Sequence, residues 1–173
     1  DYVNVIDETP TSIIYNPNTQ TFVFTGSVKV LSANTGDVFI TEMDRGGNIV
    51  KNNIYDLHSN PNCKLTESDD IAYDILLDPF RIAPITQYYI VGRTIDQFSN
   101  YKGFFLGVDA TLKLNTLMFY DPASVSHEIE FYSISKSTFG LRYIIGGRYK
   151  DSNNDFVVLA VDNAGNIIWS NNF

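Results

Sequence analysis

The chain has 173 residues, enough for one well-buried domain, with 44% hydrophobic side chains and a formal net charge of −8. That balance, with a pI near 4.5, excludes a nucleic-acid-binding surface, which needs clustered Lys and Arg. No stretch approaches the roughly 18 apolar residues of a membrane-spanning helix, and 11 Tyr and 12 Phe beside one Trp and two Met suit strands rather than helices.

In chain order, Asp1 to Glu8 is a lead-in whose Tyr2, Val3, Val5 and Ile6 could form an extra strand. Such a strand would pair within its own subunit or act as an arm that docks on a neighbour's sheet edge. The first repeat, 9–56, holds strands at Ser12–Tyr15, Phe22–Ser27, Val38–Asp44 and Ile49–Tyr55, with turns at Asn16-Pro17-Asn18 and Arg45-Gly46-Gly47-Asn48. Asp56 to Asp70 is polar and reads as a surface loop. The second repeat, 68–121, holds Ile71–Leu77, Tyr88–Thr94, Phe104–Asp109 and Leu114–Tyr120, with an insertion from Asp78-Pro79-Phe80 to Thr86. Asp121-Pro122 stops its last strand. The third, 127–173, starts near Glu128–Ile134 and runs through RYIIGGRYKDSNNDFVVLAVDNAGNIIWSNNF.

Three marks align these copies. A first apolar run ends at Gly26, Gly92 or Gly147; a second ends at Asp44, Asp109 or Asp162; an aromatic, Tyr55, Tyr120 or Phe173, closes the unit. From aspartate to aromatic the distance is 11 in every copy, whereas glycine to aspartate is 18, 17 and 15. A fixed distance beside a drifting one is what a tight hairpin next to a variable loop produces. The second and third strands of each copy are apolar at successive positions, as in Phe22-Val23-Phe24, Tyr88 to Val91 and Phe156 to Val161, which predicts cover on both faces. The fourth strand is mixed, as in Lys51-Asn52-Asn53 or Ser170-Asn171-Asn172, and suits a wet outer edge. The expectation is therefore an all-β chain of three four-stranded, blade-like repeats, propeller-like, with a β-trefoil as the alternative that better explains three copies.

The run Tyr-Ile-Ile-Gly-Gly, Asp-Phe-Val-Val, Val-Asp and Gly-Asn-Ile-Ile-Trp within 142–173 resembles the blades of repeat β-propeller proteins found on bacterial surfaces and in their secretions. The first repeat matches fairly; the second departs at its turn, where Lys113 stands in place of the Gly-Asn feature. The resemblance implies a scaffold, an extracellular or cell-surface location and no catalytic residue. Propellers close with typically 4–8 blades, so three imply a larger whole or an assembly of copies, and two chains would supply six.

Candidate chemistry is sparse. Asp151, Asn153 and Asp155 place oxygen ligands at alternate positions, as calcium loops do, but without the loop's Gly and downstream Glu; a polar hairpin loop reads equally well. Arg93 and Arg148 follow the repeat glycine, for capture of a carboxylate or phosphate or for pairing with an acid such as Asp109 or Asp162. The recurring aspartates read as turn residues that bond backbone amides. Glu67, Asp69, Asp70 and Asp74 read as a solvated acidic cluster. Cys63 is alone, so no internal disulfide forms, and it reads as a spectator thiol; His58 and His127 lie in different segments and support neither a triad nor a metal. A start at Asp1 fits a mature form after cleavage, or a fragment.

The expected function is a non-catalytic module binding protein or glycan through loops at one end of the blades. The alternative is a structural subunit that self-assembles as a homo-oligomer, a closed ring or an open filament, through the N-terminal strand and the unclosed blades. A propeller-type hydrolase is a third reading, for which no set of acids can be named.

Overall fold

The computed structural model describes residues 5–30, 36–57, 69–78, 86–95, 99–120, 127–138, 140, 142–151 and 153–173. Among them are twelve strands and no α-helix: β1 (Val5–Asn16), β2 (Thr21–Val30), β3 (Gly36–Met43), β4 (Ile49–Tyr55), β5 (Ile71–Leu77), β6 (Tyr88–Ile95), β7 (Tyr101–Val108), β8 (Leu114–Tyr120), β9 (Glu128–Lys136), β10 (Tyr143–Lys150), β11 (Asn154–Val161) and β12 (Ile167–Asn172). They form three antiparallel four-stranded sheets, one per repeat, each a meander in chain order. Strand pairing among these residues stays inside each repeat, so the barrel shared by three repeats that a trefoil requires is not formed. The sheets are not closed into a ring either.

Packing runs in series. The first strand of each sheet lies innermost: β5 rests on β1, β2 and β3, and β9 rests on β5, β6 and β7. Two cores result. Val23, Val38, Ile40 and Tyr55 of the first sheet meet Tyr88, Ile90, Phe104 and Leu106 of the second. On its other face the second sheet offers Tyr89, Val91, Phe105 and Tyr120 to Phe131, Tyr143, Ile145 and Leu159 of the third. Successive residues of β6 thus serve opposite cores, the period-2 geometry of a strand with no solvent face.

Cover on both faces therefore holds for the middle sheet, and the expectation of it fails for the outer two. Phe22 on β2 is 38% exposed and Phe156 on β11 is 56% exposed, although both sit in strands as apolar as β6. The physical reason is position: an end sheet in a series has one neighbour. Polarity of the fourth strands follows their place at the outer edge, where β12 is exposed along its whole length.

The N-terminal segment also departs from expectation. Instead of a lead-in strand and a separate short one, β1 runs unbroken over 12 residues. It pairs Val5, Asp7 and Glu8 with Val30, Lys29 and Val28 of its own sheet, so that stretch is no free arm. Residues 1–4 lie outside the described residues, as do His58, Cys63, Glu67, Pro79, Phe80, Asp121, Pro122 and Ser152.

Candidate functional site

Each repeat glycine faces a bulge. Thr11, Tyr73 and Tyr132 are extra residues in the innermost strands, breaking the register between Pro10 and Ser12, Ala72 and Asp74, and opposite Gly146 and Gly147. The bulge turns a backbone carbonyl into the neighbouring strand. A Cβ on Gly26, Gly92 or Gly147 would collide with the carbonyl oxygen of Thr9, Ile71 or Glu130, respectively. Only glycine fits there, and the constraint recurs because the bulge does.

The aspartates organise the hairpin between the third and fourth strands. Asp44 Oδ1 accepts from the amides of Gly46 and Asn48, both at 2.8 Å. Asp109 does the same with Thr111 (2.8 Å) and Lys113 (3.0 Å), and Asp162 with Ala164 and Asn166, both at 2.9 Å. The left-handed position within the turn is Gly47 (φ 83°), Leu112 (φ 62°) or Gly165 (φ 85°). Leu112 tolerates it because its side chain is buried in the core between the first two sheets. The side-chain bond from Asn48 leads in holding Asp44 below the usual carboxylate range. For Asp109 and Asp162, burial works upward but is outweighed by bonds from Thr111 and Lys113, and from Asn166 and Ala164.

The closing tyrosines reach across to the next sheet. Tyr55 donates to the Leu112 carbonyl at 2.6 Å, and Tyr120 to the Gly165 carbonyl at 2.5 Å, the same turn position one repeat on. Burial, followed by the charge of Asp162, pushes the Tyr120 hydroxyl well above the ordinary tyrosine range. Asn53 adds a second donor to Leu112 O at 3.0 Å. A parallel pair joins the far corner of the sheets: Asn16 Nδ2 donates to the Tyr88 hydroxyl at 2.6 Å, and the Tyr143 hydroxyl donates to Asp78 at 2.9 Å. Burial pushes the Tyr88 hydroxyl up to about 12. Both contacts link one sheet to its successor, and neither was foreseen from spacing alone.

At the end of the sheets opposite the Asp turns lies a charged cluster. Glu130, 2% exposed, accepts from Arg93 Nη1 at 3.1 Å through Oε2 and from Arg148 Nη2 through Oε1. The acid paired with both arginines is thus Glu130 of β9 rather than Asp109 or Asp162, whose turns sit at the other end. Tyr132 donates to Glu130 at 3.2 Å, Arg93 lies 4.0 Å over the Tyr101 ring, and Tyr73 meets Tyr132 edge-on at 5.2 Å. Lys150 pairs with Glu128 at 3.1 Å, so three cations here face two carboxylates in a chain of net charge −8. Arg93 Nε and Arg148 Nε are buried without an acceptor. His127 Nδ1 is 2.6 Å from the Tyr149 hydroxyl beside the cluster.

Asp151, Asn153 and Asp155 lie in the hairpin between β10 and β11, where Asp151 Oδ1 accepts from the Asn153 amide at 2.8 Å. That carboxylate closes a local turn, and no group of three or more acidic, His or Cys side chains converges on a metal position among the described residues. The acidic cluster is not uniformly solvated. Asp70 is buried and accepts from the Leu57 amide at 3.4 Å. Asp74 bridges all three sheets, accepting from Ser12 Oγ at 2.9 Å and from the Ile134 amide at 3.0 Å. Asp69 stays exposed while accepting from the Gly36 amide at 3.1 Å.

No protein-family model matches the chain, and no curated protein matches it significantly.

Proposed function

We propose that the chain is a non-catalytic, propeller-like module that works by binding, with its three sheets as successive blades and its ligand site at the Arg93–Glu130–Arg148 cluster. The observation that carries this reading is two guanidiniums sharing one buried carboxylate. Each guanidinium has five donors, and Glu130 cannot satisfy them all. A buried donor left unpaired costs about 1–3 kcal/mol, and Glu128, 3.8 Å from Arg148 Nη2 and shared with Lys150, meets only part of that demand, so the cluster favours a further carboxylate. Tyr73, Tyr101 and Tyr132 beside it supply ring faces and hydroxyls of the kind that hold a sugar or a peptide side chain. The ligand class is a carboxylate-bearing glycan or an acidic peptide.

The test is calorimetric titration of the protein with a uronic-acid oligosaccharide, its neutral counterpart and an acidic peptide. Saturable binding of a carboxylate-bearing probe is expected, weakened at least tenfold in Arg148→Ala and unchanged in the distant Arg45→Ala. Absence of binding by every acidic probe, or binding indifferent to Arg148→Ala, contradicts the reading. A structural role is favoured by a different observation, the apolar outer faces of the first and third sheets.

A further inference from the structure

The faces left open at the two ends of the series correspond to the faces buried inside it. Aligned on the repeat marks, Phe22, Phe24, Phe39 and Met43 of the first sheet take the places of Tyr88, Ile90, Phe104 and Val108, which receive the first sheet's core. These side chains, with Ile13, Tyr15 and Ile49, line the outer face of the first sheet; Glu8, Pro10, Phe24, Phe39, Thr41, Met43 and Ile49 enclose a groove of about 290 Å³. On the third sheet, Ile144, Val158 and Phe173 take the places of Tyr89, Phe105 and Tyr120, which cover the third sheet's core. There Trp169 is 41% exposed and Phe173 75% exposed.

One polar contact between sheets is also half-present at the ends, although Phe173 and Phe22 lack the hydroxyls of Tyr120 and Tyr88. Asn171 stands nine residues after Asp162, as Asn53 stands nine after Asp44. Asn53 donates to the turn carbonyl of the next sheet, and Asn171 is exposed with the same placement. The matching turn in the first sheet is open: a Cβ on Gly47 would meet nothing within 4 Å, whereas one on Gly165 would strike Met118. One end carries the donor face and the other the acceptor face.

We propose that a second copy of this chain docks head to tail, the outer face of its first sheet seated on the outer face of the third sheet of its partner. Trp169, Phe156 and Phe173 then cover the groove around Phe24, Phe39 and Ile49, and Asn171 donates to the Gly47 carbonyl. Two such junctions related by a two-fold axis give six sheets, within the range in which radial sheets close. The inference rests on reading the sheets as stacked blades, but not on the anion site.

The test uses surface substitutions that leave the sheet cores untouched: Ile13→Glu on the first sheet, 54% exposed, and Phe156→Glu on the third. Light scattering of the wild-type chain at about 100 µM is expected to give twice the 19.5 kDa subunit mass, and each variant alone the mass of one. Mixing the two variants restores a pair, because each retains one good face and the two intact faces are complementary. Emission of the lone Trp169 shifts to shorter wavelength on mixing. A wild-type monomer, a pair that survives either substitution alone, or no recovery on mixing overturns the proposal. Circular dichroism, expected unchanged in both variants, and thermal unfolding at a dilution where the wild-type chain is itself unpaired, where all three should melt alike, separate loss of the junction from loss of the stacked sheets.

Discussion

At single positions, several groups are left little freedom by their neighbours. Gly92 is excluded from carrying any side chain by the Ile71 carbonyl and the Phe104 ring. Gly92→Ala is expected to cost about 3 kcal/mol or more of stability, read as a fall in denaturation midpoint, whereas Gly46→Ala in an exposed turn should cost far less. The glycine marks were visible as residues that end apolar runs. Their cause was not, because a bulge in another strand leaves no trace in the glycine's own segment. The turn aspartates make a second prediction. Asp44, Asp109 and Asp162 are held below the ordinary carboxylate range, so the stability they contribute is present above the unfolded value of about 3.9 and is lost as pH falls through the lowered folded values. Unfolding measured from pH 5 to pH 2 should therefore show falling stability. Asp162→Ala should flatten that fall and cost no more than about 1 kcal/mol at pH 7, since its bonds are exposed.

Elements are joined by a contact that repeats with the period of the chain. Tyr120 ties β8 to the turn that leads into β12, as Tyr55 ties β4 to the turn after β7. Tyr120→Phe removes one donor from a buried carbonyl and is expected to lower stability by about 1–2 kcal/mol, measured by chemical denaturation. The homologous position Phe173 has no such bond to lose, so Phe173→Ala should change the monomer's stability little. The strands themselves were legible: alternating and continuous apolar runs, bounded by Asn, Asp, Gly and Pro, place the core of nearly every strand correctly. The length of β1 was not, because Asp7, Glu8, Thr9 and Pro10 carry no apolar run, while their partners in β2 hold them extended. The partner of Arg93 and Arg148 was not legible either. Glu130 lies on another strand, and which acid meets an arginine is decided by how sheets face each other.

For the whole molecule, the three sheets form a series with two internal interfaces and two open ends, and this arrangement explains what composition alone could not. The same apolar pattern is buried on both sides in β6 and half-bare in β2 and β11, because burial depends on how many neighbours a sheet has. Sequence showed the repeats and their polarity gradient from inner to outer strand. It could not show that the series stays open. The measurement that tests this arrangement most directly is hydrogen exchange of the backbone amides resolved strand by strand. Slowest exchange is expected in β6 and β7, flanked by sheets on both faces, and fastest exchange in the outer-edge strands β4 and β12. Exchange in β6 and β7 as fast as in β12 would contradict that arrangement.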